Sequence, residues 1–383
     1  VSIKERESCK MKIIHIVESL DVSHGGPAIC VPLLAKHLNS IGCSSVVLSV
    51  QATKEESDSI VSKDELKIVK VPLTGFKKIK YSSKLKSEII NEITKDTIIH
   101  VHSIWTYPSY AGYKISKDFG VPLVVSVRGT MYKWAMNKSK YVKLVAMWLY
   151  QRRILNYANK IHITEIGEKE AMENIGIFND KMLVPDGVSI GNKPDDLNKK
   201  ILKSVEFNKN KRYIFFLGRI VPNKGVHFLL NSFKILKHKY KDVEVIIGGS
   251  FNDSSYCSSL EKIDGVHFVG MLNEFEKHTM FSISTLFVLP TVSENFGLVV
   301  AEAMSYKIPV ITTTGAPWAD ILKFEAGWWV DLTGFNIFNA IDEALSLNSE
   351  ELARKGKNGY ALVQNFSWDK QALEMKKHYE SIL

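Results

Sequence analysis

The chain has 383 residues, 50 Lys and Arg against 41 Asp and Glu, a formal net charge of +9, and 45% apolar residues. That composition excludes a disordered or fibrous chain, and the length predicts two domains at roughly 100–200 residues each. The charge is lopsided, since residues 1–195 hold 28 basic and 20 acidic side chains (+8) while residues 196–383 hold 22 and 21 (+1).

From Met11 onward, short β-branched runs alternate with helical stretches. Strands are expected at 12–17, 45–50, 66–71, 97–101, 123–127 and 160–164, with helices between them, for example over 27–39 and 109–119. A polar stretch rich in Lys, Asn and Asp over 191–211 reads as a linker, and the alternation restarts at 213–217, 243–247, 266–269, 286–289, 309–313 and 328–330. Strand–helix alternation at this spacing predicts a parallel sheet covered on both faces. The expected fold class is therefore α/β, with two doubly wound, Rossmann-like domains over 11–195 and 196–366. Ser367 is an expected N-cap for a last helix over 367–383, packing back on the N-terminal domain. Ligand is expected at the carboxyl ends of the strands and, with two such units, in the cleft between them.

The four cysteines (Cys9, Cys30, Cys43 and Cys257) have neither C-x-x-C spacing nor the density of a disulfide framework, which predicts reduced thiols. No run approaches the ~18 apolar residues of a spanning helix. Residues 1–10 are charged and lack the apolar stretch of a secretion signal, so Met11 is an expected natural start and the cytoplasm the expected compartment.

Several motifs are missing. No G-x-G-x-x-G follows the first strand, and P-loop, G-x-S-x-G and H-E-x-x-H patterns do not occur. Nor is there a D-x-D pair to hold a divalent cation on a diphosphate, so no metal and no resident cofactor are expected.

Four segments at strand ends remain. After the first strand, Gly25-Gly26-Pro27 would let backbone approach an anion at a helix start, though for a lone pair a tight turn is the stronger explanation. After the first strand of the second domain, Arg219 and Lys224 stand five apart on a Gly/Pro loop. They can converge on phosphate oxygens, one as a fork and one as a point charge, or form a merely basic loop. The third segment runs from Pro290 through Glu294, Asn295, Phe296, Gly297 and Leu298 to Glu302. Glu294 would sit where helix amides favour negative charge, and Glu302 would lie in an apolar neighbourhood that rarely buries an unpartnered carboxylate. Capping and an internal ion pair are their structural alternatives. The fourth joins His100, His102 and Trp105 to Arg128 at the next strand end. His102, Trp105 and Arg128 could wall an acceptor pocket, and His100 is expected to point into the opposite layer.

Together these segments resemble the family 4 retaining glycosyltransferases, which have the GT-B fold, in the type that builds bacterial polysaccharide or O-antigen. The likeness runs from Met11 to the C-terminus. It rests on the E-x7-E pair Glu294 and Glu302 with Pro290, Phe296 and Gly297, on the Arg219–Lys224 loop and on Gly25-Gly26. The resemblance implies a nucleotide-sugar donor, UDP- or GDP-linked, and a lipid-linked or oligosaccharide acceptor, with no metal. It implies that Arg219 and Lys224 neutralise the diphosphate and that Glu302 holds the ribose. Glu294 and the backbone of Asn295–Leu298 would grip the sugar, Gly25 and Gly26 would close on the diphosphate, and the base would lie near Met271 and Leu272. His102 is the expected catalytic group on the acceptor side, with Trp105 and Arg128 binding the acceptor. The sequence departs from the family pattern where many members have His and this chain has Arg128, and where P-N-G-V becomes Pro185-Asp186-Gly187-Val188.

Residues 101–160 contain ten Lys and Arg and one acid, Asp118, and the next acid is Glu165. Within 133–153 these cations surround Tyr141, Leu144, Val145 and Trp148, with Leu155 beyond, at helical spacing. Such a stretch fits either a core-packed helix or peripheral contact with an anionic membrane; nucleic acid is not expected. The competing functions are a GT-B epimerase or phosphorylase and a non-catalytic sugar- or membrane-binding scaffold.

Overall fold

The structure is a computed structural model describing residues 11–21, 25–52, 61–62, 64–190, 207–251 and 253–383. Two compact units emerge: the residues up to Gly187 with Trp368–Leu383, and Val188–Ser367. The boundary expected at 195/196, and most of the expected linker, lie outside the described residues.

The first unit runs β1 (Lys12–Val17), α1 (Gly26–Ser40), β2 (Ser44–Gln51), β3 (Lys67–Pro72), α2 (Leu85–Asn91), β4 (Thr97–Val101) and α3 (Tyr107–Phe119). It continues with β5 (Leu123–Ser126), α4 (Lys133–Asn137), α5 (Lys140–Ala146), a π-helical turn (Met147–Gln151), α6 (Arg152–Tyr157), β6 (Lys160–Ile163), α7 (Ile166–Glu173) and β7 (Lys181–Leu183). The strands form one parallel sheet in the order β3-β2-β1-β4-β5-β6-β7. Central strands such as β1 are buried on both faces, so they are apolar runs rather than alternating ones.

The second unit comprises β8 (Arg212–Leu217), α8 (Val226–Leu236), β9 (Val243–Gly248), α9 (Ser254–Ser259), β10 (Val266–Gly270), α10 (Glu274–Ile283) and β11 (Leu286–Leu289). Then follow α11 (Leu298–Ser305), β12 (Val310–Thr313), α12 (Asp320–Lys323), β13 (Gly327–Val330), α13 (Gly334–Ser346) and α14 (Ser349–Val363). Its parallel sheet has the order β10-β9-β8-β11-β12-β13. The last helix, α15 (Trp368–Glu380), belongs to the first unit, where Tyr379 is fully buried and its hydroxyl meets His100 Nδ1 at 2.6 Å.

In each sheet the strand order reverses once, between β1 and β4 and between β8 and β11. Ligands of open α/β sheets bind at the carboxyl ends flanking such a reversal. All four sequence segments leave those strands: Gly25-Gly26 after β1, His102–Trp105 after β4, Arg219–Lys224 after β8 and Pro290–Gly297 after β11. The expected strands are present to within one residue. β7 was not expected; its three residues, Lys-Met-Leu, carry neither alternation nor a β-branched run. Among the described residues no helix is long and apolar enough to cross a membrane.

Candidate active site

In the second unit, two loops close on one another at the β8/β11 reversal. Val292 N–H donates to Asn223 O at 2.9 Å, Thr291 Oγ1 to the same carbonyl at 3.1 Å, and Asn223 Nδ2 to Ser293 O at 3.2 Å. Gly225 makes this possible. Its φ is 69°, and a Cβ there would stand 1.9 Å from Pro290 O. The approach brings Lys224 Nζ onto Glu294 Oε1, with side-chain exposures of 15% and 11%. Arg219, on the same loop, is exposed and has no ion-pair partner among the described residues. Asn223 Oδ1 and Asn295 Oδ1 are buried acceptors without a partner among the described residues. An unsatisfied buried acceptor is costly, so two beside one ion pair mark a place where ligand donors belong.

The backbone entering α11 is held from behind. Trp318 Nε1 donates to Phe296 O at 2.7 Å, and the Trp318 ring packs on Phe296 and Phe366. Gly297, with φ 76°, then turns the chain so that Leu298 starts the helix. One turn on, Glu302 Oε1 accepts from Lys277 Nζ at 2.9 Å, and Lys277 also reaches Glu274 at 3.1 Å. Burial opposes the charge on Lys277, but the carboxylates of Glu302 and Glu274 outweigh it and hold its pKa above the ordinary lysine value. The bland alternative for Glu302, an internal ion pair, is thus present, and Glu294 is paired as well. Met271 is exposed and Leu272 half-buried just past β10.

In the first unit, Gly25 has φ 94° and caps α1, and no atom lies within 4 Å of where a Cβ of Gly25 or Gly26 would stand. Backbone there faces open room. Residues 22–24 lie outside the described residues.

The acceptor-side expectation needs two corrections. A strand has a period of two, so His100 and His102 share a face; their ring centroids are 3.9 Å apart. Both belong to a buried polar chain. His15 Nδ1 meets His102 Nε2 at 2.8 Å, His100 Nε2 meets Ser126 Oγ at 2.7 Å, and Ser126 Oγ meets His162 Nδ1 at 2.6 Å. Burial, then mutual repulsion and Arg128, push the histidines down: to about 3 for His15, about 4 for His162, and well below the usual value for His100 and His102. They are neutral, and His102 is 1% exposed, turned into the domain rather than lining an open pocket.

Arg128 is the second correction. Its Nη1 donates to both oxygens of Asp186 at 2.5 and 2.6 Å, and the two side chains are 6% and 10% exposed. The two departures from the family pattern are therefore one ion pair: the arginine and the extra carboxylate neutralise each other. Nε and Nη2 of Arg128 are buried without partners among the described residues, so only that edge remains for an acceptor group.

Trp105 is half-buried at φ 78°, a backbone conformation rare for a bulky residue. Its N–H donates to Gln151 Oε1 at 3.0 Å, its carbonyl accepts from Tyr150 OH at 2.6 Å, and Lys143 Nζ stands 5.8 Å over its ring.

Comparison with known proteins fits this arrangement. The family model described as glycosyl transferases group 1 matches residues 198–362, and that of a glycosyl transferase 4-like domain matches residues 25–187. Each of the two stretches thus matches a glycosyltransferase domain family, residues 198–362 the group 1 family and residues 25–187 the 4-like domain. The capsular polysaccharide biosynthesis glycosyltransferase CapM of Staphylococcus aureus is 34% identical over 160 residues, 40% of this chain and 41% of that one. A phosphatidyl-myo-inositol mannosyltransferase of Propionibacterium freudenreichii is 29% identical over 162 residues, 40% of each chain. The chain thus spans 41% and 40% of the length of these two relatives. Among solved structures, HepE of Anabaena in complex with UDP and glucose has a TM-score of 0.78 at 17% identity, covering 97% of this chain and 100% of that one. Sucrose-phosphate synthase of Thermosynechococcus elongatus has a TM-score of 0.76 at 18% identity, covering 97% and 99%. These likenesses establish the GT-B fold.

Folding brings Lys224 to Glu294 and sets Asn295 beside them, while His102 and Arg128 go inward. Sequence reasoning missed Lys277, Asn223 and Trp318, and it singled out Asp186 without pairing it with Arg128. Asn223 was in reach, since it stands between Arg219 and Lys224. The others act on partners 25, 22 and 58 residues away, and no local pattern signals such a pairing.

Proposed function

We propose that this glycosyltransferase moves a hexose or hexosamine from a UDP- or GDP-linked donor to a sugar hydroxyl of a growing, lipid-linked bacterial surface polysaccharide, with retention and without a metal. The observation that carries the reading is the Lys224–Glu294 pair beside the unpartnered Asn223 and Asn295 acceptors at the strand reversal. CapM, a capsular polysaccharide glycosyltransferase by name, and HepE, crystallised with UDP and glucose, support the substrate classes.

In this reading the donor diphosphate competes for Lys224 and draws in the exposed Arg219. Glu294 is thereby released to accept from hydroxyls of the donor sugar, and Glu302, held by Lys277, accepts from the ribose. Cleavage leaves the bonding pair of the anomeric C–O bond on the diphosphate, where the two cations stabilise it. The acceptor oxygen bonds to the same face of the anomeric carbon, and its proton passes to the departing phosphate oxygen. Gly25 and Gly26 offer amides to the diphosphate, Trp105 and the free edge of Arg128 meet the acceptor, and the base lies near Met271 and Leu272. The reaction takes place at the inner face of the cytoplasmic membrane, which residues 133–153 contact.

The test is to incubate the protein with UDP- and GDP-hexoses and with membranes carrying lipid-linked saccharides. Release of nucleoside diphosphate that needs the acceptor, with an axial or equatorial linkage matching the donor's, is the expected result. Turnover without any acceptor would instead indicate an epimerase or hydrolase, and an inverted linkage would overturn the mechanism.

A further inference from the structure

The segment from α4 to α6 carries a surface that the transfer chemistry does not use. Tyr141 (81% exposed), Val142 (71%), Val145, Trp148 (83%) and Leu149 face outward together, while Met147, Gln151, Ile154 and Leu155 are buried. The sequence alone groups Leu155 with Tyr141, Val145 and Trp148 in one stripe; the structure divides them. A π-helical turn spans Met147–Gln151, and within it Met147 and Gln151 are buried while Trp148 and Leu149 are exposed. Lys133, Lys138, Lys140, Arg152 and Arg153 are exposed in the same segment with Lys143 half-buried, and no carboxylate occurs between Asp118 and Glu165. Exposed Trp and Tyr rimmed by cations alone match an anionic bilayer, where aromatic rings enter the headgroup layer and each cation gains from the surface potential. A protein partner would leave such a uniform charge without a reason.

The same segment grips the strained Trp105 loop. Gln151 and Tyr150, both inside the π turn, hold Trp105 by its N–H and its carbonyl, and Lys143 covers its ring. Trp105 Nε1 is buried with no partner among the described residues. We infer that residues 140–151 form a bilayer-coupled clamp: the outward face inserts into anionic lipid, and Tyr150 and Gln151 transmit that engagement to the Trp105 loop. The inference deepens the membrane contact and the acceptor role of Trp105 proposed above and rests on that reading. It gives the enzyme a reason to order its acceptor loop where lipid-linked acceptors are found.

The test uses the full chain with vesicles of phosphatidylglycerol and phosphatidylcholine, read by co-sedimentation and by amide hydrogen exchange over residues 103–108. Neither readout needs a nucleotide sugar, so failure of the transferase reading and failure of this one are separable. Binding should require phosphatidylglycerol and weaken with salt, by about fivefold for each cation removed. Exchange at Trp105 should slow by about tenfold or more on binding. Trp148→Ser with Tyr141→Ser, both at exposed positions, should abolish vesicle binding and leave exchange in free protein unchanged. Tyr150→Phe should bind vesicles as the wild type does but lose the slowing at Trp105. Absent or salt-indifferent binding would overturn the bilayer and point to a protein partner. Binding without slowing, or slowing that survives Tyr150→Phe, would overturn the clamp.

Discussion

The two units solve the problem of charge at a sheet reversal in opposite ways. In the second, Lys224–Glu294 and Lys277–Glu302 are ion pairs between neighbouring elements, partly open to solvent, beside unpartnered acceptors. A ligand can open them. In the first, His15, His100, His102 and His162 are neutral and buried, and Arg128 is locked to Asp186. That polar core joins β1, β4, β5 and β6 to α15 and is built for cohesion. The contrast teaches that a cluster of chemically capable residues is not by itself a site: what distinguishes the second unit is that its ion pairs are still partly open to solvent.

The contrast can be broken most forcefully at Lys224. Lys224→Ala and Glu294→Ala should each lower transfer by about 10³-fold or more, while thermal unfolding stays within a few degrees of wild type. Near-normal diphosphate release from either variant would remove the pair from the chemistry. Arg128→Ala or Asp186→Ala should do the reverse, costing about 3–5 kcal/mol of stability because a buried charge is stranded. Denaturant unfolding of the first unit measures it, and an unchanged midpoint would show that the buried pair adds no cohesion.

Acid should separate the units next. The buried histidines have pKa values below their unfolded value of about 6.5, so the unfolded chain binds more protons as pH falls. Their contribution is fully present above about pH 6.5 and is lost through the folded values, about 4 for His162 and about 3 for His15. Each histidine costs about 1.4 kcal/mol per pH unit across that window. Hydrogen exchange at pH 7 and pH 5 should show the first unit opening in acid while the second holds; equal behaviour would contradict the assignment. The smallest effect belongs to Lys277→Met. Donor binding should weaken by about tenfold, and preference for ribonucleotide over 2′-deoxyribonucleotide should shrink, because Glu302 is no longer held. Calorimetry with the two nucleotides decides, and an undiminished preference would detach Lys277 from the ribose.

Much of this was visible in one dimension. Strands of β-branched residues announced both sheets, and glycines with charged residues at strand ends located the loops that the reversals then selected. Where reading by pattern failed, the cause was geometric. His100 was assigned to the wrong layer although a two-residue period puts it with His102, and the Arg128–Asp186 pair went unseen because nothing near Arg128 in the chain foretells it. Leu155 was grouped in one stripe with Tyr141 and Trp148 because regular helical spacing does not anticipate a π turn.

The +9 charge also divides differently in three dimensions. The sequence by itself determined where the excess lies, which residues could do chemistry and that two parallel α/β units would carry them, because strand periodicity and turn residues act over a few positions. Only the tertiary structure decided which charges are already neutralised and which remain for a ligand or a bilayer. Ion pairs depend on distance in space, and the deciding ones here join residues 25, 58 and 70 positions apart.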